Sequence, residues 1–239
     1  MIIVKVPAIN GFGRTNGCEK APDFIEKYFN KKFQGIKIDN SNIKETQETI
    51  FNQAKQFFSK KDRIIFIGGD HSISFPLTRA FFRKNKNSCL IVLDSHADFM
   101  PSMKEPSHEE WISALIREYN IPVFLVGAKQ IFNQEKKEIA KGNIKIIKFN
   151  EFLKSNFIKE IIKFKNVYLS LDLDVFPKDI FDAVAYPQKR GLKLNQVSKI
   201  IKQIKPITTD IVEYNPNKDK NKKNLNVIRE IIRCAASLQ

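Results

Sequence analysis

Histidine is used sparingly in this chain, with three in 239 residues: His71, His96 and His108. Cysteine is as rare. Cys18, Cys89 and Cys234 lie far apart with no C-x-x-C pair, which argues against a disulfide framework or a thiolate zinc site and reads as reduced thiols in a reducing compartment. No apolar run reaches membrane-spanning length. The short apolar start Met1-Ile2-Ile3-Val4-Lys5-Val6 has no basic segment before it and no small-residue cleavage site after it, so a soluble, cytoplasmic protein without a membrane partner is expected. No Pro/Gly/Ser-rich linker or internal repeat divides the sequence, and residues 1–239 read as a single domain. Acidic residues are outnumbered 26 to 41, giving a formal charge of +15. The lysines are spread through amphipathic stretches, 133–141 and 157–165, and a short charged loop at 218–223. With no RNP-like motif or aromatic-interleaved basic stripe, nucleic acid is not the expected partner.

The chain alternates two patterns. Runs rich in Ile, Val, Leu and Phe without polar alternation lie at 2–7, 35–38, 63–68, 89–94, 122–126, 144–149, 167–172 and 208–213, as in parallel strands buried on both faces. Between them, 43–58, 74–83, 109–118, 194–205 and 224–236 repeat their apolar residues at three and four positions, as helices require. The pattern predicts an α/β fold with a parallel sheet of about eight strands.

In such sheets, sites form outside the carboxyl ends of the strands, and the chemistry-bearing residues fall there. His71 follows the third run in Gly68-Gly69-Asp70-His71-Ser72. Asp94, His96 and Asp98 follow the fourth in Asp94-Ser95-His96-Ala97-Asp98, Asp172 and Asp174 close the seventh, and Glu213 closes the eighth. Carboxylates at the end of an apolar strand are costly to desolvate unless a cation or hydrogen bonds compensate them. Alternate positions in Asp94-x-His96-x-Asp98 and Asp172-x-Asp174 can face one side if the segments stay extended. With His71 they make two imidazoles and four carboxylates. That donor set suits a hard or borderline divalent ion such as Mn²⁺, and six donors are enough for two ions sharing carboxylates. Taken singly, each piece also reads as a turn, a helix cap or chance.

These motifs resemble the ureohydrolases, the arginase and agmatinase family of dimanganese amidinohydrolases. The resemblance runs from Gly11-Phe12-Gly13 and Ala21-Pro22 to Val212-Glu213-Tyr214-Asn215-Pro216. It implies a three-layer αβα sandwich and two Mn²⁺ per subunit. One ion would take His71, Asp94, Asp98 and Asp172, the other His96, Asp94, Asp172 and Asp174, with Asp94 and Asp172 bridging. It implies further that Asp98 orients an attacking hydroxide, Glu213 holds the guanidinium, and His108 carries a proton to the departing amine. Related proteins commonly assemble as trimers or hexamers, so a homo-oligomer is expected.

The chain departs from the family pattern in places. Glu109 follows His108 where a small residue is usual, Ser95 replaces an alanine, Val175-Phe176-Pro177-Lys178 differs after Asp174, and Asp182 stands where proline is common. The loop between Asp98 and His108 lacks the groups with which arginases hold an α-amino acid head. That favours agmatine, cleaved to putrescine and urea. Lys104 in the same loop could meet a carboxylate, keeping arginase, guanidino-acid hydrolase and formiminoglutamase activities as alternatives. A deacetylase-type amide hydrolase would need fewer of the six donors, and a non-catalytic basic binding protein would need none for chemistry.

Overall fold

A computed structural model describes residues 1–60, 62–149, 151, 156–220 and 222–238. Eight strands form one sheet: β1 (Ile2–Val6), β2 (Gln34–Gly35), β3 (Ile64–Gly68), β4 (Ser88–Leu93), β5 (Val123–Val126), β6 (Ile144–Ile147), β7 (Asn166–Asp172) and β8 (Thr208–Val212). Their order is β2-β1-β3-β8-β7-β4-β5-β6, and every pairing is parallel. The expected α/β class and strand number are both found. The edges are shorter than expected, because β2 pairs only through Gln34 and Gly35 and β6 ends at Ile147.

Among the described residues the α-helices are α1 (Ala21–Phe29), α2 (Ile43–Phe58), α3 (Ser74–Lys84), α4 (Trp111–Glu118), α5 (Asn133–Ile139), α6 (Phe157–Ile161), α7 (Leu194–Ile204) and α8 (Lys223–Ala236). The period-two strand residues split between two cores. Ile65, Ile67, Cys89, Ile91 and Leu93 face the side covered by α1, α6, α7 and α8. Ile64, Phe66, Leu90 and Val92 face α2, α3 and α4. The result is three layers, with both sheet faces dry, which is why the strands could be apolar throughout. Helix α1 was not foreseen, although Pro22 in its first turn and buried Ala21 and Ile25 are ordinary helix-start and core signals.

The four central strands, β3, β8, β7 and β4, are the four whose carboxyl ends carry the chemistry. They lie far apart in sequence and side by side in space. At Gly69 a methyl group would sit 2.1 Å from the Ala8 carbonyl oxygen, so only glycine lets the turn after β3 close against the end of β1.

Candidate metal centre

The first carboxylate after each of β3, β4 and β7 builds its own turn. Asp70 Oδ1 accepts from the Ser72 amide, Asp94 Oδ1 from the His96 amide at 2.7 Å, and Asp172 Oδ1 from the Asp174 amide at 2.7 Å. The cap reading of Asp172-x-Asp174 is therefore correct and does not compete with function, because each residue has a second oxygen to spare. Asp94 Oδ2 and Asp172 Oδ2 lie 3.1 and 3.4 Å from His71 Nδ1, and Asp98 Oδ2 lies 3.0 Å from it. On the other side of Asp94, His96 Nδ1 is 2.8 Å from Asp174 Oδ2 and 3.7 Å from Asp94 Oδ1.

The segment 94–98 does not stay extended. It bends, and Asp98 turns back into the site with a left-handed φ of 54°. Glu213 is also left-handed, at 70°. Its amide donates to the Gly69 carbonyl at 2.9 Å while its Oε1 accepts from the His71 amide at 3.0 Å, which stitches the end of β8 to the turn after β3. Two strained non-glycine residues at one site are held there by these contacts.

All the residues expected in the site come together. A cavity of about 690 Å³ is lined by His71, His96, Asp98, His108, Asp172, Asp174 and Glu213, and Asp94 lies fully buried beneath it. His108 Nδ1 faces Glu213 Oε1 at 3.6 Å. Met100, Phe132, Val184, Ala185 and Tyr186 make the walls, and Arg14 and Glu109, joined as an ion pair, belong to the same lining. Lys104 is not among the lining residues.

The electrostatics of the site are those of crowded carboxylates. Burial, then the charges of Asp98 and Asp174, raise Asp94 to about 8. Burial and the charges of Asp174 and Asp94 hold Asp172 well above the usual range. Burial works against the ionised form of Asp174 too, but the His96 charge and the Ser95 and His96 hydrogen bonds outweigh it and lower its pKa. Burial pulls His71 down, yet the three carboxylates around it raise it well above 6.5. His96 is raised in the same way to about 11 and His108 to about 9, by Asp174 and Glu213 respectively against the pull of burial.

The donors fit a cation. His71 Nδ1 and Asp94 Oδ2 are both buried without a hydrogen-bond partner, although they stand 3.1 Å apart. Unpaired buried polar atoms of this kind are expected where a further ligand belongs. Two groups can hold an ion with atoms close to one another: His71, Asp94 and Asp98, and Asp94, His96 and Asp174. Asp94 is common to both. A third grouping, Asp70, His108 and Glu213, is different in kind. Asp70 already accepts from Ser72 and, through Oδ2, from the Asn10 amide and the Thr15 hydroxyl, so it serves to anchor the 10–15 loop.

Several supporting residues escaped the sequence reading. Ser170 Oγ donates to Asp210 at 2.7 Å, so its oxygen accepts from His71 Nε2–H at 2.8 Å and leaves Nδ1 free as a ligand. Asp210, buried in the middle of β8, also receives the hydroxyls of Tyr168 and Ser74. Trp111, the single tryptophan, donates to Asp98 Oδ2 at 3.0 Å and packs its ring on His71. Ser95, which stands where the family has an alanine, donates its hydroxyl to Asp174 at 2.8 Å. Asp210 alone left a sequence signal, a charge inside an apolar strand.

Comparison with known proteins identifies the family and the fold. The Arginase family profile matches residues 2–237. An arginase of Plasmodium berghei (strain Anka) is 25% identical over 252 residues, covering 92% of this chain and 71% of that protein. The N(1)-aminopropylagmatine ureohydrolase of Thermus thermophilus is 25% identical over 182 residues, covering 72% of this chain and 62% of that one. In structure, the chain superimposes on the arginase of Bacillus caldovelox with a TM-score of 0.85 at 20% identity, covering 99% of this chain and 98% of that one. The chain belongs to the arginase family, whose members are hydrolases acting on guanidino C–N bonds and dependent on a binuclear metal centre.

Proposed function

We propose that this protein is a dimanganese ureohydrolase that cleaves agmatine to putrescine and urea. The observation that carries the reading is the meeting of six donor side chains from three strand ends, two of which present buried, unpartnered atoms, His71 Nδ1 and Asp94 Oδ2. His71, Asp94, Asp98 and Asp172 would hold one ion and His96, Asp94, Asp172 and Asp174 the other. Hard oxygen donors with two imidazoles and no thiolate favour Mn²⁺. When bound, the ion pair supplies a hydroxide nucleophile at neutral pH from water.

The chain's own residues account for the rest. A guanidinium is cationic and resonance-stabilised, so it must be held with its carbon over the nucleophile. Glu213, lining the cavity floor with one oxygen anchored on the His71 amide, would bind the guanidinium by charge-assisted hydrogen bonds. Asp98, steadied by Trp111, would orient the nucleophile. His108, beside Glu213, would give a proton to the departing amine.

The walls favour agmatine over an amino acid, since Met100, Phe132, Val184, Ala185 and Tyr186 suit a methylene chain and Lys104 is not in the lining. Arg14 in the lining favours a second reading, a guanidino acid whose carboxylate would meet that side chain. The test is urea release by Mn²⁺-loaded protein from agmatine, arginine and guanidinobutyrate, and formamide release from formiminoglutamate. His96→Ala is the control. Urea from agmatine that vanishes in the variant is the expected result. Two bound Mn²⁺ with no product from any of the four would refute the reading.

A further inference from the structure

We propose that Glu109 is the proton relay of His108, taking the Nε2 proton and returning it within each turnover, an inference that rests on the shuttle role given to His108 above. The imidazole is buried and faces two ways. Its Nδ1 looks to Glu213 Oε1 at 3.6 Å inside the cavity. Its Nε2 is buried with no hydrogen-bond partner, and the carboxylate beside it is Glu109, with Oε1 at 3.6 Å. That distance is beyond a hydrogen bond, but contacts of this kind are often long before substrate binds, and a modest side-chain rotation closes it.

Glu109 presents the same Oε1 to His108 and to Arg14. Its backbone is fixed, because its amide donates to Ser107 Oγ and its carbonyl accepts from the Met100 amide at 3.1 Å. Its side chain is 39% exposed and meets solvent together with its ion-pair partner Arg14. A small residue after His108 would remove the carboxylate that stands beside Nε2. The order Glu213, His108, Glu109, solvent therefore runs from the cavity floor to the surface.

The relay balances. When the attacking water loses a proton to Nδ1, the proton on Nε2 passes to the Glu109 carboxylate. When the amine departs, Nδ1 gives its proton to the amine nitrogen and Glu109 returns one to Nε2. The imidazole ends each turnover in the tautomer in which it began, without turning over in its pocket.

The test measures kcat and KM of the Mn²⁺-loaded protein at one pH in dilute and in concentrated morpholine buffer, using whichever of the four substrates above it turns over fastest. Glu109→Gln should lose about tenfold in kcat in dilute buffer and recover most of it as buffer is added, with KM unchanged. Arg14→Gln breaks the same ion pair but keeps the carboxylate, and should show no buffer dependence. Glu109→Gln turning over like wild type in dilute buffer would overturn the relay while leaving the hydrolase intact. Equal buffer rescue in Arg14→Gln would overturn it too, since the ion pair rather than the carboxylate would then matter. Wild-type protein inert toward all four substrates would remove the hydrolase reading, and the relay with it.

Discussion

Asp210→Asn would separate the support of the metal centre from the stability of the sheet. The carboxylate accepts three hydroxyl protons, from Ser170 on Oδ1 and from Tyr168 and Ser74 on Oδ2, and through Ser170 it orients His71. The amide that replaces it cannot accept on its nitrogen, so at least one buried hydroxyl loses its acceptor. A hydrogen bond to a charged group contributes about 1.5–3 kcal/mol, so about 2 kcal/mol should be lost. For a chain of this size that lowers Tm by about 4–8 °C. The same change frees Ser170 to point its proton elsewhere, and His71 loses the partner that fixes its tautomer. Losing such a partner weakens metal binding by about 10–100-fold. Tyr168→Phe is the paired control, because its hydroxyl reaches Asp210 but lies outside the path to His71. It should cost comparable stability with little change in Mn²⁺ affinity. Thermal unfolding of the metal-free proteins and calorimetric Mn²⁺ titration measure the two effects. Wild-type Mn²⁺ affinity in Asp210→Asn, or an equal loss in Tyr168→Phe, would refute the path from Asp210 to His71.

Two further outcomes are expected. Asp94 and His96 hold their protons to about 8 and about 11 in the metal-free fold, above their ordinary values, so the fold binds more protons than the unfolded chain. The Asp94 contribution is therefore lost progressively as pH rises from about 4 towards 8, and that of His96 from about 6.5 upwards, whereas Asp174, lowered in the fold, acts only below about pH 4. Metal-free protein should melt at falling temperature between about pH 6 and 9, while its Mn²⁺ affinity rises over the same range because bound protons must leave. A flat melting profile in chelator would contradict the crowding of carboxylates described here. Gly69→Ala would place a methyl group 2.1 Å from the Ala8 carbonyl oxygen, which also accepts from the Asp70 amide, so backbone must move. About 3 kcal/mol and a Tm drop of about 6–12 °C are expected, and a melting temperature within about 2 °C of wild type would show that the turn has room.

The sequence by itself determined the layered α/β class, because short β-branched apolar runs with no polar alternation, set between amphipathic stretches, fit strands covered on both faces, as Ile64–Gly68 and Ser88–Leu93 are. It also singled out candidates that the fold brings together, since His71, Asp94, His96, Asp98, Asp172, Asp174 and Glu213 lie at the ends of such runs and charge is costly there without a partner. Tertiary structure decided what local pattern does not encode. It made β3, β8, β7 and β4 neighbours, turned Asp98 and Glu213 into left-handed conformations, and set Ser170 and Asp210 behind His71. It also brought Arg14 to Glu109, across 95 residues. The physical reason is one of range. Burial and periodicity act through each residue's nearest neighbours in the chain, whereas hydrogen bonds and ion pairs between strand ends exist only after the sheet has chosen its order.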